Sequence, residues 1–212
     1  MTLEMGLIAA STASALVYGA FLAVRAPWAA KTSARLLARV GLVAVMLVDA
    51  GPAALIGGAA FAWFGEIALA SRSRWRPDMV ITALTISNLA YAGLFRIAGG
   101  GLAALAAEPW RAVGVFGAPA LAAMQLTRVW PRVIRWRAIV AINATASAGM
   151  GALAFTLPHA FWTAMPGAIL TLAASTPTAR LAVDERRREI MSASTWVIGM
   201  IGQALIAYAF LF

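Results

Sequence analysis

Arg128-Val-Trp-Pro-Arg132-Val-Ile-Arg135-Trp-Arg137 gathers four arginines between two long apolar stretches. Each flank approaches the about 20 apolar residues needed to cross a ~30 Å hydrocarbon core. Three similar clusters occur elsewhere: Arg25, Lys31, Arg35 and Arg39; Arg72, Arg74 and Arg76; and Arg180, Arg186, Arg187 and Arg188. Together they hold fifteen of the seventeen Lys and Arg residues, leaving only Arg96 and Arg111 outside. Positive charge beside short loops marks the cytoplasmic side, because carrying Arg or Lys across a membrane is costly. If every cluster is cytoplasmic, the chain crosses twice between successive clusters. The pattern predicts an all-α polytopic bundle of eight transmembrane helices, multi-pass in the inner (plasma) membrane, with both termini on the non-cytoplasmic side.

Composition points the same way. The chain is 62% hydrophobic with a mean hydropathy of +0.83, against roughly 45–50% apolar residues in soluble domains. Its 212 residues supply eight short spans and no soluble domain, so 1–212 reads as one transmembrane domain. The net charge of +9 would suggest nucleic acid in a soluble protein. Here the arginines lie where topology and anionic lipid place them, and no nucleic-acid partner is expected. The absence of cysteine excludes disulfides, thiol catalysis and Cys-based metal sites. Met1-Thr-Leu-Glu-Met5 carries an acid and no base before its apolar run. A signal peptide requires a basic start, so this segment is expected to remain as the first span.

The predicted spans are 5–24, 34–50, 53–71, 78–97, 111–129, 133–156, 160–178 and 192–212. Pro119 is expected to interrupt the fifth, and Pro166 and Pro177 to break the seventh. Gly99-Gly100-Gly101 and Glu108-Pro109-Trp110 belong to the longest external loop, and Leu157-Pro158-His159 to an external turn. Helices are the natural element, since lipid tolerates no unpaired backbone group. Abundant Ala, Gly, Ser and Thr suit close helix packing. Trp28, Trp75, Trp110, Trp130, Trp136 and Trp162 lie near span ends as an interfacial belt.

Polar side chains within spans are expensive and are therefore the functional candidates. Glu66, in Phe61-Ala-Trp-Phe-Gly-Glu66, is foremost. A carboxyl there with no neighbouring cation is a candidate proton donor; one met by Arg72 or Arg74 is a structural ion pair. Asn88 lies in mid-span with Ser87 and Tyr91 nearby, and Gln203 is central to the last span. Gln125, Asn143, Thr145 and Ser147 read mostly as packing polars. His159 reads as interfacial, and Asp184-Glu-Arg-Arg-Arg-Glu189 as a solvated loop with internal ion pairs. No Gly-x-Ser-x-Gly elbow, phosphate loop or histidine-rich motif is present. Neither a metal site nor a cofactor is expected.

The order of these polar landmarks resembles the YhhN-type lysoplasmalogenases, small integral membrane proteins, over roughly residues 15–208. That family carries Lys-Pro at the start of span 2, Gly-Asp in span 3 and Gly-His followed by Tyr in span 4. Its span 7 carries Gly-Ala-x-x-Phe-x-x-Ser-Asp, and its last span a Gln in Tyr-x-x-Ala-Gln-x-Leu-Ile. Lys31-Thr32, Gly65-Glu66 and Ser87-Asn88 with Tyr91 answer the first three. Gly167-Ala168-Ile169-Leu170 with Ser175-Thr176, and Gly202-Gln203-Ala204-Leu205-Ile206, answer the others.

The resemblance implies hydrolysis of the vinyl ether of lysoplasmalogens, releasing a fatty aldehyde and a glycerophospho-base. That reaction needs a proton delivered to carbon and then water on the oxocarbenium ion, work suited to two carboxyls. This chain keeps one, Glu66, and has Ser175 or Thr176 where the second belongs; Asn88 stands for His and Thr32 for Pro. Two classes of function follow. In the first, a lipid-directed hydrolase uses Glu66 as catalytic acid. Asn88, Tyr91, Ser175, Thr176, Gln203 and Lys31 then bind a membrane lipid or lysophospholipid. In the second, the chain is a non-catalytic relative that binds lipid or serves as an accessory subunit of a membrane protein complex.

Overall fold

Long Ala- and Leu-rich segments without alternating polarity satisfy their backbone groups within themselves. A computed structural model describes residues 11, 13–18, 28–70, 76–183 and 188–212 of the chain. All regular structure in these residues is helical: α1 (Trp28–Val48), α2 (Ala53–Ala70), α3 (Arg76–Ala98), a short α4 (Leu102–Ala107), α5 (Arg111–Val129), α6 (Arg137–Ala154), α7 (Ala164–Val183) and α8 (Arg188–Leu211). Arg76–Ala98, Arg111–Arg132 and Ser194–Leu211 are each long and apolar enough to cross a membrane. Most of the first predicted span, together with Arg25, Arg72, Arg74, Asp184, Arg186 and Arg187, lies outside the described residues.

Local chemistry explains the helix ends. Pro77 sits at the start of α3, where its missing N–H is no loss, and Asp78 in the first turn meets the positive end of the helix dipole. α1 ends with Ala50 in the left-handed region (φ 50°). The Gly51 and Ala50 amides reach back to the carbonyls of Met46 and Leu47 (2.9 and 3.3 Å), which closes the last turn and reverses the chain.

Several boundaries differ from the sequence expectation. The Arg128–Arg137 cluster does not simply link two spans but forms two 3-10 turns, Trp130–Arg132 and Ile134–Trp136, so α6 begins later than expected. The expected external loop contains α4, and His159–Phe161 forms a 3-10 turn before α7. The prolines do not break their helices. Pro119 and Pro177 lie inside α5 and α7, and Pro166 falls in the first turn of α7, where backbone N–H groups are unpaired anyway. Pro177 cannot donate to the carbonyl of Ala173; the Gln125 side-chain amide does so instead, at 3.4 Å. A neighbouring helix thus supplies the partner that proline removes.

α7 packs most extensively on α8, α2 on α3, and α3 on α6, while α1 leans mainly on α2. Small residues permit the closest approach: a Cβ on Gly167 would lie 2.7 Å from the Gly202 carbonyl oxygen, so α7 and α8 meet backbone to backbone. The bundle has two unlike halves. Near the α6–α7 turn, Tyr91, Phe95, Phe210 and Phe161 form a stacked aromatic series with successive centroid separations of 6.5, 5.9 and 4.7 Å. Toward the opposite end, buried polar side chains replace them. The outer surface is apolar instead, with Val113 and Phe116 of α5 among its exposed residues, the distribution suited to a lipid solvent.

Candidate functional site

Arg35 and Arg39 are four residues apart on α1 and therefore project from the same face. Both reach Glu66 on α2. Arg35 Nη2 donates to Glu66 Oε2, while Arg39 Nη2 lies 3.4 Å from Oε1. Arg39 Nη1 donates to Gln203 Oε1 on α8, so one guanidinium joins three helices. Arg39 is 6% exposed, Glu66 8% and Gln203 4%, which makes this a buried ion pair rather than a surface one. The Arg35 guanidinium also lies over the rings of Tyr18 and Trp196 at 5.6 and 5.8 Å, a cation–π arrangement. The two rings contact edge to face at 4.7 Å. Gly199 of α8 lies against α7, where a Cβ placed there would be 3.2 Å from that of Ala174, with Arg39 Nη2 in ordinary contact at 3.7 Å.

A second polar group adjoins the first. Asn88 Nδ2 on α3 donates to Ser147 Oγ at 2.7 Å, Ser175 Oγ at 3.2 Å and Asn143 Oδ1 at 3.3 Å. Asn143 Nδ2 donates to Ser175 Oγ at 3.1 Å, and the two serine oxygens are 3.1 Å apart. All four residues are buried. Ser87 donates to the carbonyl of Gly58 at 2.7 Å, tying α3 to α2.

Between the two groups lies a cavity of about 20 Å³. That is room for one or two waters and not for a lipid. Glu66, Asn88, Ser175 and Gln203 all line it, together with Ser87 and Arg39. The remaining sequence candidates do not. Tyr91 is buried against Gly58, where a Cβ would approach its ring to 2.8 Å, and belongs to the aromatic half. Thr176 is buried beside Ser175 without lining the cavity. Lys31 lies one turn before Arg35, half-buried and off the cavity.

The partners of Glu66 extend the sequence reading. Arg72 and Arg74 lie outside the described residues; among the described ones, the cations that reach Glu66 come from α1. Arg35 and Arg39 read as topology charges because they belong to a basic cluster. Their four-residue spacing beside Ala34 and Ala38, both buried, is the signal that marks them as inward-facing. Asn143 and Ser147 read as packing polars, yet they share the hydrogen bonds of Asn88. His159 is 81% exposed, 4.0 Å from Glu108, in keeping with a place in an exposed turn. Chemically, the cavity offers a tethered carboxylate, two guanidinium groups and a set of amides and hydroxyls. Among the described residues no group of acids and histidines could hold a metal ion. No family of known proteins, curated relative or solved structure matches the chain.

Proposed function

We propose that the chain is a multi-pass protein of the inner (plasma) membrane that binds the head group of a lysophospholipid-type lipid beside this water-sized cavity without cleaving it, as a non-catalytic relative of the YhhN-type lysoplasmalogenases. Such a protein acts alone or as an accessory subunit of a membrane protein complex. The eight-span topology, with both termini outside, is part of the proposal. It is supported by the fifteen-to-two partition of basic residues, and it puts the cavity in the cytoplasmic half.

The observation that carries the reading is the pairing of Glu66. Vinyl ether hydrolysis needs an acid free to give a proton to carbon. The acid lining this cavity accepts hydrogen bonds from Arg35 and Arg39, so both of its oxygens are already engaged by fixed donors. No second carboxyl among the described residues lines the cavity. The hydrolase remains the second reading, favoured by the convergence of Glu66, Asn88, Ser175 and Gln203 on one water-sized space.

One assay separates them. Purified protein incubated with a lysoplasmalogen should release no aldehyde above a protein-free control, while the lysolipid raises the melting temperature. Aldehyde release that Glu66→Gln lowers about a hundredfold, the scale of a lost general acid, would make hydrolysis the function.

A further inference from the structure

The buried groups around Arg39 have too few acceptors for their donors. Arg39 Nε, Arg35 Nε and Trp196 Nε1 are buried and have no hydrogen-bond partner. Arg39 and Trp196 line the cavity and are only 6% and 3% exposed. The acceptors opposite them, Glu66 and Gln203, are already engaged by the guanidinium Nη groups. Among the described residues, two guanidinium groups against one carboxylate leave a formal charge of +1 in the cluster. An unpaired buried donor is costly, and an uncompensated buried charge costs more.

Several ligands answer part of this deficit. A water molecule or a neutral carbonyl accepts a hydrogen bond and leaves the charge in place. An anionic oxygen group answers both, and guanidinium with indole N–H is a donor set suited to it. We infer that Arg39, Trp196 and Arg35 form a site for an anionic phosphate oxygen, supplied by a lysophospholipid head group or by free phosphate. The inference deepens the lipid-binding reading and rests on it for the lipid source alone.

The cavity holds one or two waters as it stands, so a phosphate group must displace something. Gln203 is the group that yields. It is a neutral acceptor on Arg39, and an anion outcompetes it for a guanidinium.

The test uses the full-length protein in a neutral maltoside detergent, with melting followed by tryptophan fluorescence. The probes are a lysophosphatidylethanolamine, a monoacylglycerol of the same chain, and inorganic phosphate. The lysophospholipid should raise the melting temperature saturably, and the monoacylglycerol should not. Trp196→Phe keeps a ring over Arg35 and removes an N–H that bonds nothing in the protein. Read against its own ligand-free melting temperature, it should bind the lysophospholipid about tenfold more weakly, the worth of one hydrogen bond to a charged group. Arg39→Lys should weaken binding further, and if that variant does not fold, Trp196→Phe still decides.

A saturable rise with phosphate alone supports the site and shows that the free anion suffices. A rise with the lysophospholipid and none with phosphate supports a head group delivered by its chain. Equal stabilisation by the monoacylglycerol, or a Trp196→Phe variant that binds like wild type, overturns the anion site and leaves lipid binding standing. A rise with phosphate and with neither lipid keeps the anion site and overturns lipid binding. No rise with any probe overturns both.

Discussion

Arg35 and Arg39 share with Arg128, Arg132 and Arg135 a place in a basic cluster beside an apolar run, yet the two groups end in opposite surroundings. The first pair is folded into the bundle, where both guanidinium groups meet Glu66 and one meets Gln203. The second group is exposed. There, Arg132 Nη1 donates to the carbonyl of Arg128 at 2.8 Å, and Arg135 lies over Trp136 at 5.6 Å. The difference lies in the neighbours. Small residues at Ala34 and Ala38 let α1 approach the bundle with its arginines facing in. Trp130, Pro131 and Trp136 turn the other cluster into an irregular interfacial link. A basic cluster therefore reports sidedness first, and its flanking residues decide whether it also builds a site.

The largest test of that contrast is Arg39→Ala. Arg35 still pairs with Glu66, but Gln203 Oε1 loses its buried donor, at about 1–3 kcal/mol, and the truncated side chain leaves a void between three helices besides. The variant should accumulate poorly or unfold at much lower denaturant. Replacing the trio together (Arg35→Met, Glu66→Leu and Arg39→Met) should recover most of that stability, because well-packed apolar residues can match a buried ion pair. If Arg39→Ala unfolds like wild type, the inward arrangement of α1 is wrong.

Asn88→Ala comes next. It removes the donor shared by Ser147, Ser175 and Asn143, and should lower unfolding stability by about 1–2 kcal/mol. Wild-type stability would mean that the three neighbours satisfy one another without Asn88.

Glu108 sharpens the comparison with a third setting, at the bundle rim. Its Oε1 is 2.9 Å from Arg111 Nη2, and Arg111, almost fully buried, also caps the carbonyl of Leu157. The hydrogen bond from Arg111 is the main cause holding the Glu108 carboxyl below the usual carboxylate range. Because the folded value is depressed, this stabilisation is present above the unfolded value and is lost as pH falls through the folded one. Glu108→Gln should melt below wild type at neutral pH, and the difference should vanish in acid. A gap that persists at low pH would show that charge is not involved.

The smallest effect belongs to the exposed cluster. Arg132→Ala should change stability by less than about 0.5 kcal/mol. A reporter fused to the C-terminus checks the topology that this cluster implies, and a cytoplasmic reporter signal would sink the eight-span arrangement.

Much of the helix layout is legible from hydropathy and charge. Expected span 111–129 coincides with α5 because Glu108-Pro109 and Arg128 bracket it closely. α7 begins and ends later than its expected span because Pro158-His159 initiates a 3-10 turn, and because the Gln125 amide lets the helix run through Pro177. That rescue is invisible in sequence, since it depends on which helix lies alongside. The candidate site is legible in the same uneven way. Glu66, Asn88, Ser175 and Gln203 stand out because polar groups in apolar runs are costly. Arg39 does not, because its sequence position has a sufficient explanation in topology alone. Tyr91 and Thr176 share the expected neighbourhood but face other partners, and helical phase within one turn is finer than span boundaries resolve.

The separations along the chain between Arg39 and its partners also bear on biogenesis. Glu66 is 27 residues from Arg39, whereas Gln203 is 164 residues away. A bare arginine near mid-span raises the insertion free energy by about 2.5–3.5 kcal/mol. On the proposed topology Glu66 is the partner that emerges first, so α1 and α2 would enter the membrane as a charge-matched hairpin. α8 would then arrive to a neighbour already in place, and the Gln203 amide would join Arg39 later. A defect at Glu66 would therefore strike at the first step of assembly, and a defect at Gln203 at the last.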